Sequence, residues 1–215
     1  MTRFLAGSLA LALSLLLSSA LLGAESQTAL LEQLKSPDEE ARRQAAARLG
    51  DVGDQTEVEP LVQALRDPDE VVRQLAEHSL WQVWSRSGSA DTDALFQEGI
   101  FLMQSGQLPE AAAKFGEVIG RAPTFAEAWN KRATVYYLDG EYKKSLADCE
   151  VVIRLNPIHF GALSGMGLNY LELDQPEKAL GAFEQALQVN PNLDRIKALV
   201  EELRELLRQR GEDYI

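Results

Sequence analysis

The chain has 215 residues and a formal net charge of −12, with 33 acidic side chains against 21 basic ones. That length builds one or two domains with a real core. The acidic balance, with no basic cluster beyond a modest "RELLRQR" near the end, argues against nucleic acid or an anionic membrane surface as partner, since both need dense positive charge.

Residues 1–24 come first. Arg3 supplies a positive start, Phe4 to Leu17 an apolar run, and Ser18 to Ala24 small residues for cleavage. That order predicts a signal peptide and export, to the periplasm of a bacterium. Cleavage after Ala20 or after Ala24 fits equally. An uncleaved anchor is the alternative, because ~20 apolar residues can span a bilayer. The short apolar run, with no basic stop-transfer cluster after it, favours cleavage. Cys149 is the one cysteine, so no internal disulfide forms and no lipid-bearing cysteine lies near the cleavage region.

Next, "LLEQLKSPDEEARRQAAARL" (30–49) and "LVQALRDPDEVVRQLAEHSL" (61–80) align at an offset of 31. In each, a helix ends, Ser36-Pro37 or Asp67-Pro68 caps the following one, and Glu39 or Glu70 completes a capping box. The pair resembles HEAT-type helical repeats over residues 26–86. Between them "GDVGDQTEVE" (50–59) is acidic but lacks the alternating ligands of a calcium loop, so it is expected to be a solvated connection. The last helix carries a stripe through Val72, Leu75, Ala76, Leu80 and Val83, and Trp81 and Trp84 widen it. The two tryptophans are expected to pack against the first hairpin that follows; the sharper alternative is an exposed secondary binding surface. "SRSGSAD" (85–91) reads as a joint.

A second repeat follows. Prolines fall at 123, 157 and 191, a spacing of 34 each time. Leu95/Gly99/Leu102, Trp129/Ala133/Tyr136 and Leu163/Gly167/Tyr170 recur in register, as do Ala111/Phe115, Ser145/Cys149 and Ala179/Phe183. This pattern resembles the tetratricopeptide repeat, in three copies at 91–123, 125–157 and 159–191. Glu98 and Arg132 depart from it by replacing an apolar residue. Ile196, Leu199, Val200, Leu203, Leu206 and Leu207 then line one face of a helix over 193–210, expected to close the array. The fold expected is all-α, a right-handed α-solenoid of helical hairpins.

No motif for catalysis, cofactor or metal is present: His78 and His159 stand apart from any ligand-spaced His, Cys or Glu, and no phosphate-cradling loop or nucleophile motif occurs. The resemblance implies a concave groove lined by the first helix of each hairpin. Its expected peptide-contacting residues are Phe96, Ile100 and Met103, then Asn130, Thr134 and Tyr137, then Ser164, Leu168 and Leu171. The family's carboxylate clamp falls here on Phe96, Ile100, Lys131, Gly161 and Gly165, which leaves one basic residue. The resemblance therefore implies an exported scaffold that binds a protein or peptide, without the chaperone-tail chemistry and without catalysis of its own. Two alternatives stay open: a structural subunit of an envelope assembly that uses the convex face, and a lyase of the HEAT-like kind.

Overall fold

A computed structural model describes residues 27–209 and 211. The segment expected to be a signal peptide lies outside them. Every regular element among the described residues is helical, and the chain divides into two units, one up to Val83 and one from Trp84 onward.

The first unit contains α1 (27–33), α2 (Glu39–Val52), a 3-10 turn (Gln55–Glu57), α3 (Val58–Ala64) and most of α4 (Glu70–Trp84). The offset of 31 is visible as chemistry. Arg42 Nη1 donates to the carbonyls of Ser36 and Pro37, and Arg73 Nη1 donates to those of Asp67 and Pro68. Each arginine thus fastens the proline turn before its own helix. Arg42 also forks onto both oxygens of Asp67 at 2.8 and 3.0 Å, and Arg43 forks onto Asp69 at 2.9 and 2.6 Å, which links one proline turn to the next. The caps sit two residues later than expected. Asp38 Oδ1 accepts from Glu40 N and Asp69 Oδ1 from Val72 N, while Ser36 and Asp67 accept from the backbone N–H of those two caps. The cause is steric: proline holds its predecessor extended, so the helix starts only after the turn. The acidic stretch 50–59 is also more ordered than a solvated loop. Asp54 and Glu57 form a reciprocal capping box, with Glu57 buried.

The second unit consists of three hairpins and a closing helix: α5 (Ala90–Gln104) with α6 (Leu108–Arg121), α7 (Ala126–Leu138) with α8 (Tyr142–Leu155), α9 (Phe160–Glu172) with α10 (Pro176–Val189), and α11 (Asp194–Gln209). The second helix of each hairpin packs on the first helix of the next, the arrangement of an α-solenoid. The small residue of each repeat has a definite partner. A Cβ on Gly99 would come within 2.7 Å of the Phe115 ring, and one on Gly167 would lie inside contact with the Phe183 ring. In the second hairpin Ala133 replaces glycine and Cys149 replaces phenylalanine. The added methyl is matched by a smaller opposing side chain, and Ser145 Oγ donates to Ala133 O at 2.8 Å.

The two departures at Glu98 and Arg132 have a shared explanation. Arg132 forks onto Asp148 of its partner helix at 2.7 and 2.8 Å and stacks on Trp129, while Glu98 pairs with Lys114 at 3.2 Å. These pairs occupy the same register in successive hairpins with the signs exchanged.

Two glycine substitutions test the close-approach account. Gly167→Ala is expected to lower stability by ~1–3 kcal/mol through overpacking against Phe183. Gly181→Ala, mid-α10 with open space around its Cα, is expected to raise stability by ~0.5–1 kcal/mol through helix propensity. Chemical denaturation reads both, and shifts of the same sign would contradict the packing role of Gly167.

Candidate functional site

The first helices α5, α7 and α9 carry the residues expected to line the groove, and they do not share one environment. Phe96 belongs to the core and not to an open groove. Its side chain is 0% exposed, with its ring 5.6 Å from Phe115 and 5.0 Å from Phe125. The reason is Phe125, which enters from the turn before α7 and fills the space over α5. Ile100 and Met103 are partly buried and pack on the same cluster. Their apolar character therefore has a folding explanation.

The second and third hairpins differ. Asn130, Thr134 and Tyr137 on α7 face Ser164 and Leu168 on α9 across a pocket of about 190 Å³. Five of the nine expected groove residues line it. Leu171 instead packs, partly buried, against the cluster beneath α10 and α11. Three deeper residues, Ser145, Cys149 and Asn169, were absent from the expected groove set. Asn169 Nδ2 donates to Ser145 Oγ and to Gly165 O, both at 2.8 Å. Cys149 is buried, and desolvation first, with Asp148 beside it, pushes its thiol up to about 12, so it stays protonated and unreactive. At the mouth Tyr137 Oη donates to Glu172 at 3.4 Å. Burial and then that carboxylate hold the phenol above its ordinary value.

Beside this pocket lies a buried ionic cluster. His159 Nε2 is 2.8 Å from Glu127 Oε2, and both side chains are fully buried. His159 Nδ1 accepts from Ala162 N at 3.0 Å, so it caps α9, and the ring proton must sit on Nε2 and point at Glu127. Asn130 Nδ2 donates to the same carboxylate at 3.1 Å, and Lys131 Nζ lies 2.9 Å from its other oxygen. Burial works to raise the Glu127 pKa. The hydrogen bond from His159 and the Lys131 charge outweigh it, and the net direction is down.

Trp84 covers the cluster. It is 4% exposed, stacks on His159 at 4.5 Å and meets Phe160 at 5.1 Å. Trp84 thus packs against the start of α9 and is no exposed aromatic patch. Trp81, in the other unit, is half-buried. Among the described residues no group of His, Cys, Asp and Glu is placed to hold a metal, and no helix is long and apolar enough to cross a membrane.

Comparison with known proteins agrees with this architecture. Residues 9–94 match the HEAT repeat family, and residues 96–157 and 160–193 match two tetratricopeptide repeat families. A TPR repeat-containing protein of Rhizobium etli is 36% identical over 126 residues, which is 59% of this chain and 61% of that protein. Hsp70-Hsp90 organizing protein 1 of Glycine max is 30% identical over 115 residues, 52% of this chain but 20% of that protein. The chain thus spans under two thirds of these relatives. Among solved structures, the first TPR of Spaghetti bound to an HSP90 peptide superposes with a TM-score of 0.53 at 20% identity, covering 54% of this chain and 93% of that one. The TPR2B domain of yeast Sti1, in complex with an Hsp70 peptide, gives 0.52 at 21% identity, covering 55% and 99%. The chain carries HEAT repeats followed by tetratricopeptide repeats.

Proposed function

We propose that the tetratricopeptide unit is a protein-binding scaffold, and that it seats a peptide or protein segment on α7 and α9, centred on the pocket between them. The observation that carries this is the pocket itself. Its volume of about 190 Å³ holds one side chain, and it is lined by polar groups on facing helices. The two tetratricopeptide domains solved with Hsp90 and Hsp70 ligands support peptide binding as the mode. Their ligand chemistry does not transfer, because the one clamp lysine, Lys131, is paired with Glu127. The His159–Glu127 pair itself is no catalytic candidate, since no substrate reaches two fully buried side chains.

A second reading, a structural subunit, draws on Phe101 and Leu138, which are 66% and 57% exposed and lie outside the pocket lining. Screening a peptide library with purified protein separates the two. Peptides retained by the wild type are expected to be lost on Thr134→Glu with Ser164→Glu, with the melting midpoint nearly unchanged. Retention by that variant moves the site to Phe101 and Leu138.

Export is part of the proposal, supported by the charge, apolar and small-residue order of residues 1–24. The HEAT match begins at residue 9, inside that segment. N-terminal sequencing of exported protein is expected to start between Leu21 and Glu25; an intact Met1 would favour the anchor.

A further inference from the structure

The hydrogen-bond inventory of the pocket says what it can accept. Thr134 Oγ1 donates to Asn130 O at 3.0 Å, Ser164 Oγ to Phe160 O at 2.8 Å, and Ser145 Oγ to Ala133 O at 2.8 Å. A hydroxyl has a single proton, so all three are committed to backbone carbonyls and what each retains is acceptor capacity. The amide of Asn169 is fixed in the same sense. Its Nδ2 faces Gly165 O, and a carbonyl can only accept. Its Oδ1 is buried and has no hydrogen-bond partner, and an amide oxygen left so is destabilising. Asn169 itself is 1% exposed and lines the pocket. The site therefore gathers acceptors and leaves one of them unmet.

Resting on the peptide-binding proposal above, we propose that this pocket takes the ammonium end of a lysine side chain from the bound segment. A lysine ammonium has three donors and no acceptor, which complements Thr134, Ser164 and Asn169. A carboxylate would face lone pairs with lone pairs. A carboxamide would bring a carbonyl oxygen needing a donor of its own. Leu168 and Ala133 supply apolar surface for the methylene stem, and a volume of about 190 Å³ suits one side chain. At the mouth, the Glu172 carboxylate and the charge of Arg195 both act on Tyr137. The choice falls to the acceptors within. The chemistry is opposite in sign to carboxylate capture.

The test uses the full chain, isotopically labelled, and four probes at matched ionic strength: n-butylammonium, tetramethylammonium, propionamide and butyrate. Only n-butylammonium is expected to shift the Asn169 side-chain amide and the Thr134 backbone resonance. Thr134→Val with Ser164→Ala, which removes two acceptors at nearly constant shape, is expected to weaken that binding at least tenfold. Leu168→Phe, which fills the volume and leaves the hydrogen bonds in place, is expected to weaken it too. Equal response to tetramethylammonium, tighter binding of propionamide or butyrate, or an unchanged affinity in both variants would overturn the assignment. Peptide capture without lysine at the pocket position would also overturn it while leaving the scaffold proposal standing. Probe binding without any peptide capture would do the reverse.

Discussion

Glu127→Ala is expected to destabilise the tetratricopeptide unit by about 2–6 kcal/mol, at about 1–3 kcal/mol for each of the two buried donors that lose its carboxylate. The carboxylate receives His159 Nε2 and Asn130 Nδ2 and lies beside Lys131 Nζ. Its removal takes from the buried His159 imidazole and Asn130 amide the carboxylate they share, whereas Lys131, about a quarter exposed, can turn to water. His159 is also the cap of α9, so its displacement frees Ala162 N–H at the start of the third hairpin. Glu127→Gln is the discriminating companion. It keeps an oxygen for His159 and loses the charge, so its loss should be clearly smaller. The pH dependence has a fixed sign. The folded-state pKa of Glu127 lies below its unfolded value, so its contribution is complete above the ordinary carboxylate range. It is lost as pH falls through the folded value. Melting curves from neutral to acid should show an acid-induced loss in the wild type that is reduced in the glutamine variant. Equal stability of all three proteins at neutral pH would remove the cluster from any account of the fold.

What could be read from the sequence followed periodicity. The Gly99/Phe115 and Gly167/Phe183 contacts were visible because both members recur at the same register, and so were the apolar positions 196, 200, 203 and 207 of the closing helix. Leu206 broke the expected stripe and is 39% exposed, since a broad apolar face on α11 exceeds what α10 can cover. The buried cluster was not visible. His159 stands where the preceding copies have Phe125 and Asp91, and Glu127 stands where the others have Asp93 and Gly161. No repeat marks the pair, and 32 residues separate its members. Phe96 was misassigned because register alone places it beside Asn130 and Ser164. The ring that buries it comes from the preceding turn of the next hairpin, and only packing reveals that. One signal was present and unused. Ser145 is polar where the other copies have alanine, and Asn169 is polar where they have Phe101 and Val135. Two departures from the repeat at facing positions imply contact, as they do for Glu98 with Lys114 and Arg132 with Asp148.

Deleting residues 194–215 is expected to have the largest effect of all. A solenoid buries each hairpin against its neighbour, so the last one needs a cover with a polar outer side. Ile196, Val200, Leu203 and Leu207 of α11 are buried against Ala179, Leu180 and Phe183 of α10. At ~1.5–3 kcal/mol for each fully buried side chain, the four contribute about 6–12 kcal/mol as an upper estimate. A whole domain of this kind is stable by ~5–15 kcal/mol. The truncated chain should therefore lose its cooperative transition or aggregate through the uncovered α10. An ion pair that links α11 to α10, Arg204 with Glu184, is largely exposed and contributes little beside this. Two point substitutions separate apolar cover from the mere presence of a helix. Leu203→Ala should cost ~2–5 kcal/mol, whereas Leu206→Ala, on the exposed side, should stay within ~0.5 kcal/mol of the parent. Thermal and urea unfolding of the three proteins decide the matter. A truncated chain that stays monomeric and melts at the parent's midpoint would mean that α10 needs no cover, and that the apolar face of α11 serves another surface.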